Sequence, residues 1–257
     1  MCAIPKQVFS TASELQWNID IIRSEREKLI RLNKDWAFYL FDNSASTGYI
    51  KENFAQEVIE AYNSINPRYG AARADLFRYC ALYQEGGLYL DIKSSARKSL
   101  TDIIDNNDMY KLSQWENLPG QLHYNWGVHK GLEHIPGGEF QQWFIATPPK
   151  SKILQHVIDV IVENINAAKS KPMSPSGKQG VLCTTGPIAY TLAITQLIQA
   201  NTITLGKDFE YINAAQSGLI YSIFEDNTIN PSWQRTKGYE EYGCHHYSGR
   251  NEPLVRQ

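Results

Sequence analysis

Four residues near the middle of the chain have the chemistry of a ligand cleft: Asp75, Arg78, Asp91 and Lys93. Asp75 and Arg78 are three apart, so on a helix they share one face. Asp91 and Lys93 are two apart, so in a strand they point to one side. A carboxylate holds sugar hydroxyls or a metal ion, and an arginine or lysine holds a phosphate. One crevice with both suits a sugar phosphate or a nucleotide sugar. The same spacing also fits a plain helical ion pair beside a solvated strand end.

The elements that must position this group run from Ala71 to Lys93. Leu76, Tyr79, Cys80 and Tyr83 recur at helical spacing within 71–84. Gly86 and Gly87 then stop the helix, as glycine does at a C-terminus. Leu88, Leu90 and Ile92 alternate with Tyr89, Asp91 and Lys93, which predicts a strand with the two charged residues at its end. Ligands of open α/β sheets bind beyond the carboxyl ends of the strands. Elsewhere the pattern predicts strands at 3–11 and 35–42, an amphipathic stretch over 13–32, and helices over 49–63 and 151–169. Residues 170–180 read as a flexible loop by composition. A further helix begins near Pro187, with Thr184 or Thr185 as its cap. Residues 105–140 and 207–257 read as loops and short strands. This alternation predicts a single α/β domain over 1–257.

Composition narrows the function. The 257 residues are 42% hydrophobic and 20% charged, ordinary for a soluble globular chain. Basic and acidic residues number 25 and 27, a formal charge of -2, which argues against a nucleic-acid or anionic-membrane binder. Cys2, Cys80, Cys183 and Cys244 are far apart, so a reduced compartment is expected rather than a disulfide framework. No apolar run nears the ~20 residues of a membrane helix, and the N-terminus has no signal-peptide hydrophobic region. The expected location is cytoplasmic, with no transmembrane segment. No phosphate-loop motif and no Gly-x-Ser-x-Gly elbow occurs.

The block "ARADLFRYCALYQEGGLYLDIK" resembles the signature of glycosyltransferase family 32. That family includes fungal outer-chain mannosyltransferases, and clostridial glucosylating toxins share the block. The family pattern is R-x-x-D-x-x-R-Y followed by G-G-x-Y-x-D-x-D. Asp75 to Tyr79 match its first half and Gly86 to Asp91 its second, with Arg73 two residues before Asp75. Looser likenesses run from Ile4 to His246. The resemblance implies a GT-A (Rossmann-like) fold, a mixed sheet with helices on both faces. It also implies transfer of a hexose from a UDP- or GDP-sugar to a glycan or other hydroxyl acceptor, with retained configuration. By position, Asp75 and Arg78 would hold the donor sugar, and Asp91 would contact ribose, metal or both. Phe9, Ser10, Arg73 and Tyr89 are further donor-site candidates, Phe9 to stack on the base or simply to pack in the core.

The sequence departs from that pattern at Lys93, where the family places the second acid of Asp-x-Asp. A cation beside an ammonium loses a ligand and gains a repulsion, about 4 kcal/mol for unit charges 4 Å apart at an effective dielectric of 20. Three readings stay open. Lys93 neutralises the diphosphate itself; it swings out while Asp91 and His245 hold Mn²⁺ or Mg²⁺ with waters and substrate; or the protein binds nucleotide sugar or glycan without turning it over. In the late "CHHYSGRN", His245 and Tyr247 fit the family's closing His and aromatic, while Arg250 and Asn251 replace its Ser-Trp. Arg250 is a candidate phosphate contact. His123, His129 and His134 with Trp126 read either as an acceptor-sugar surface or as plain packing and solvated loops.

Overall fold

The computed structural model describes residues 3–104, 108–170, 174–224 and 247–256. In chain order the elements are β1 (Gln7–Thr11), α1 (Glu14–Trp17), α2 (Asp20–Leu32), β2 (Ala37–Phe41), α3 (Asn43–Asn53), α4 (Gln56–Ser64), α5 (Gly70–Glu85) and β3 (Gly87–Leu90). There follow β4 (Ser95–Ala96), α6 (Leu100–Ile103), β5 (Tyr110–Leu112), β6 (Phe144–Thr147), α7 (Lys152–Lys169), α8 (Gly177–Thr184), α9 (Pro187–Gln199), β7 (Phe209–Tyr211), α10 (Ala214–Ser217) and β8 (Leu219–Ile220).

The main sheet has the order β2-β1-β3-β6-β5-β7, and β4 pairs with β8 in a small second sheet. β1 runs parallel to β2 on one side and to β3 on the other, while β6 is antiparallel to β3 and β5. The sheet is therefore mixed, and the strand order reverses at β1. That reversal opens a crevice beyond the carboxyl ends of β1 and β3. All four residues of β3 are buried. Tyr89 joins a core with α5, α7 and α9 on one face, and Leu88 and Leu90 join a second core with Leu29 and Leu100 on the other.

The α5–β3 junction fixes how the helix meets the strand. Gly86 and Gly87 have φ of 68° and 96°. A Cβ on Gly86 would lie 2.6 Å from the Pro149 nitrogen, and one on Gly87 would lie 2.7 Å from the Gln7 carbonyl oxygen. Only glycine fits both the backbone conformation and the space.

The structure corrects several local expectations. The helix expected over 49–63 is two helices, because Phe54 and Ala55 are extended and Phe54 packs against the core. The loop expected over 170–180 ends early, since α8 starts at Gly177, whose N–H donates to the Tyr69 hydroxyl at 2.9 Å. Gly186, not Thr184 or Thr185, caps α9, with Pro187 in its first turn. β3 ends at Leu90, so Asp91 and Lys93 belong to a turn in which the Ser94 N–H donates to the Asp91 carbonyl. The stretch 177–199 is long and apolar enough to cross a membrane by composition, yet 61% of its most apolar 18 residues are buried inside the fold and Thr185–Gly186 divides it into two helices.

Candidate active site

The crevice holds two adjoining cavities of ≈ 570 and ≈ 460 Å³. Ala71, Arg78, Asp91 and Lys93 line both and form the shared wall. The smaller lies beyond β1 and β2 and takes in Thr11, Phe41, Tyr62, Tyr89 and Arg250. The larger faces Asp75, Trp126, His129, Glu139 and Tyr221. Both volumes lie in the range of small-molecule sites.

Arg78 is the hub. Its Nη2 is 3.1 Å from Asp75 Oδ1 and its Nη1 3.3 Å from Asp91 Oδ1. Nη1 also donates to the Gln142 carbonyl at 2.6 Å, Nε donates to the Ala74 carbonyl at 3.3 Å, and the guanidinium lies 4.4 Å from the Tyr89 ring centroid. The planar fork thus ties helix α5 to the turn after β3, a geometry lysine does not reproduce.

Asp75 is 2% exposed and accepts from both sides. Gln142 Nε2 donates to its Oδ1 at 3.1 Å, and the Thr185 hydroxyl donates to Oδ2 at 2.9 Å. Burial pushes the Asp75 carboxyl up to about 7, with Asp91 adding to the rise, while Arg78, Thr185 and Gln142 pull it down. The Arg78 guanidinium is pushed up too: burial opposes its charge, but Tyr89, Asp91 and Asp75 together outweigh that, so it stays protonated. Gln142 and Thr185 went unnoticed in the sequence. The signal was there in one form: a buried acid must find donors, and Thr185 lies at the junction of two helices.

Lys93 donates to the Tyr221 hydroxyl at 2.8 Å and lies 4.1 Å from that ring's centroid. The Ile223 N–H donates to the Lys93 carbonyl and the Ser94 hydroxyl to the Tyr221 carbonyl, so the 221–223 segment clasps the turn. Arg250 donates through Nη1 to Glu252 at 3.2 Å, and its buried Nε has no partner among the described residues. Tyr89 bonds Thr11 through its hydroxyl at 2.9 Å.

Three expected donor residues lie elsewhere. Phe9 is buried and stacks on Tyr39 with centroids 5.3 Å apart; it packs the core rather than lining a cavity. Ser10 is fully buried and donates to the Leu90 carbonyl at 2.6 Å, stapling β1 to β3. Arg73 lies 4.2 Å over the Tyr62 ring and donates to Thr47, outside the lining of both cavities. All three sit where the chain alternation or helix rotation turns them away from the crevice. Lys178 lines the larger cavity from α8, and His245, an expected metal ligand, lies outside the described residues.

Among the described residues, no three His, Cys, Asp or Glu side chains converge as metal ligands. Asp91 already faces Arg78, and Lys93 holds the place of a second acid. These residues do not fit a divalent cation held by an Asp-x-Asp pair.

Residues 22–110 match the family described as a glycosyltransferase sugar-binding region containing the DXD motif. That range holds Asp75, Arg78, Asp91 and Lys93. An uncharacterized glycosyltransferase of Acanthamoeba polyphaga mimivirus is 31% identical over 83 residues, which are 32% of this chain and 32% of that protein. The chain therefore aligns with about a third of that relative's length. The UDP-bound glycosyltransferase domain of the YGT toxin shares the fold with a TM-score of 0.54 at 9% identity, covering 90% of this chain and 82% of that one. PaToxG glycosyltransferase follows with a TM-score of 0.50 at 16% identity, covering 77% and 72%. The fold is thus that of the GT-A glycosyltransferases. Within that fold, residues 22–110 resemble the sugar-binding region of DXD-containing glycosyltransferases.

Proposed function

We propose that this protein transfers a hexose from a nucleoside diphosphate sugar to a hydroxyl acceptor with retained configuration. One observation carries the reading: Arg78 bridges Asp75 at 3.1 Å and Asp91 at 3.3 Å on the wall shared by two adjoining cavities. The smaller cavity, beyond the carboxyl ends of β1 and β2, suits the nucleotide. The sugar would lie at the shared wall, and the larger cavity would admit the acceptor.

Under this reading Asp91 accepts hydrogen bonds from the donor's hydroxyls, and Asp75 and Arg78 hold Asp91 and the floor in place. Lys93 and Arg250 supply positive charge where the diphosphate departs. The bond from the anomeric carbon to the phosphate oxygen breaks. The acceptor oxygen bonds to that carbon from the same face, and its proton passes to the departing phosphate oxygen. No covalent nucleophile is needed on this route. The reading implies that turnover continues without a divalent cation, because Lys93 occupies the position of a metal ligand.

The test is nucleotide release from UDP- and GDP-sugars by Asp91→Asn. Turnover should fall by about 100-fold or more, the scale of removing one preorganised polar contact to the transition state. The fold should persist with a midpoint lower by only a few degrees, since Arg78 keeps Asp75 and the Ala74 and Gln142 carbonyls as partners. Unchanged turnover would reject the assignment.

A further inference from the structure

Between β5 and β6 the chain makes a loop that the donor reading leaves unused. From Asn117 to His129 it holds no Asp, Glu, Lys or Arg. Four large hydrophobic side chains project from it: Leu118 is 64% exposed, Leu122 65%, Tyr124 53% and Val128 59%. Single apolar residues are ordinary on a surface, but a concentration of them in one uncharged loop marks a contact face. The loop is held from within. The Asn125 N–H donates to the Asn117 carbonyl and the His123 N–H to the Glu116 carbonyl, both at 3.2 Å, which closes its ends. The Leu118 N–H donates to the Gln121 side chain at 2.8 Å, and the N–H groups of Gln121, Tyr124 and Trp126 donate to the carbonyls of Leu118, Gln121 and His123. Asn117 Nδ2 donates to the Trp126 carbonyl at 2.8 Å and the Gly137 carbonyl at 3.0 Å, and Pro119 has no N–H to satisfy. Compact surface loops with closed ends are frequently functional.

These features suit one kind of surroundings. A segment that enters the boundary of a bilayer carries no charge, keeps its amides paired internally and offers apolar side chains. A protein partner is met instead by free hydrogen-bonding groups around a polar rim, and here the amides are turned inward. Tyr124, with an apolar body and a polar tip, suits the headgroup level. The first charge past the loop is Lys130, exposed and of the sign that lipid phosphates attract. The acids on either side are engaged: Glu116 Oε1 accepts from Asn213 and Gln216, and Glu133 accepts from the Gly131 N–H at 2.6 Å. The net charge of -2 argues against long-range attraction to a membrane, and an uncharged loop needs none. Val128 is both exposed and part of the larger cavity's lining, so a bilayer met by the loop lies against that cavity.

We infer that the 117–129 loop docks this protein on a phospholipid bilayer, with Leu118, Leu122, Tyr124 and Val128 entering its surface. The docking stands without the transferase reading; only its consequence, an acceptor presented at a membrane, rests on that reading. The test mixes the full chain with phosphatidylcholine vesicles, with and without phosphatidylglycerol, and follows flotation and the quenching of tryptophan emission by brominated lipid. Binding to both vesicles is expected, and it should survive high salt. The double variant Leu118→Ser, Leu122→Ser should bind about tenfold more weakly, as loss of exposed apolar surface from a contact face requires. Its thermal midpoint should match the parent's, because both side chains are exposed. Leu122→Gln alone should move binding in the same direction and serves if the double variant does not fold. The inference is overturned if the parent binds neither vesicle, or if the variants bind as tightly as the parent. Binding confined to anionic vesicles and abolished by salt would overturn it as well, since charge elsewhere would then be responsible. So would a parent that self-associates through the loop, or takes up a protein partner there, and ignores lipid. Thermal shifts by UDP and GDP are read separately. Vesicle binding with no nucleotide shift removes the donor assignment and upholds the docking; a nucleotide shift with no vesicle binding does the reverse.

Discussion

Replacing Arg78 by methionine separates an electrostatic hub from simple packing. Arg78 contacts two carboxylates, Asp75 at 3.1 Å and Asp91 at 3.3 Å, and two backbone carbonyls. Breaking a buried pair by removing one partner costs about 3–5 kcal/mol. For a chain of this size each kcal/mol is worth roughly 2–4 °C of midpoint, so a loss of ~10 °C is expected near neutral pH. The pH dependence is the sharper signature. Burial raises the Asp75 carboxyl from 3.8 to about 7 in the folded protein. A group raised on folding contributes stability that is complete below its unfolded value and lost as pH climbs through its folded value. In the parent that loss ends near pH 7. Without Arg78, which pulls the carboxyl down, the folded value moves higher and the loss continues. At 1.36 kcal/mol per unit, the variant should carry an extra deficit of ~2 kcal/mol at pH about 8.5 relative to pH about 5.5. Midpoints measured by calorimetry at both values test this. The double variant Asp75→Asn, Arg78→Met should lose the extra deficit. An equal midpoint difference at the two pH values would refute the reasoning, since packing loss alone does not titrate.

Other perturbations read other parts of the argument. Thr185→Val keeps the volume but removes the hydroxyl that donates to Asp75; a loss of about 1–2 kcal/mol in denaturant unfolding is expected, growing with pH. Gly87→Ala would force a Cβ to 2.7 Å from the Gln7 carbonyl at φ 96°, costing about 1–3 kcal/mol and lowering the midpoint by several degrees. Turnover of the parent should survive EDTA, while Lys93→Asp, which restores two acids around Ile92, should become dependent on added Mn²⁺. A parent that stops in EDTA would show that a cation enters despite Lys93.

The sequence made the donor wall legible because its parts are local. The three-residue step from Asp75 to Arg78 and the glycine pair between α5 and β3 are read within one window, and the fold needs both where they stand. What stayed hidden is non-local. Thr185 is 110 residues from Asp75 and Gln142 is 67, so nothing in either window marks them as donors to a buried acid. Phe9 and Ser10 misled for the opposite reason. They stand in a strand just before the crevice, but β1 is an inner strand, paired on both edges, so its side chains go into packing and stapling. Asp91 and Lys93 were expected on a strand face. They reach the same crevice from a turn instead, because the ladder stops at Leu90 apart from the Asp91 N–H, which donates to the Trp143 carbonyl.

Charge balance explains why a lysine is tolerated at a position where the family motif has an acid. With Asp75 titrating near 7 and shielded by Arg78, the exposed anion of the shared wall is Asp91. Against it stand Arg78, fully engaged, and Lys93, anchored on Tyr221 through its hydroxyl and ring. Arg250, paired with Glu252, also lines the smaller cavity. An acid at 93 would leave the wall short of positive charge for a diphosphate, and a divalent cation would have to supply it. Under the proposed function the lysine removes that need and places a single charge on a flexible stem, held by an aromatic ring that lines the larger cavity. Of the shared wall, Lys93 is the cation that a residue of the larger cavity, Tyr221, holds in place. A Tyr221→Leu variant should weaken nucleotide binding several-fold. If Tyr221→Leu leaves nucleotide affinity unchanged, Lys93 does not depend on that ring for its position, and the charge argument loses its anchor.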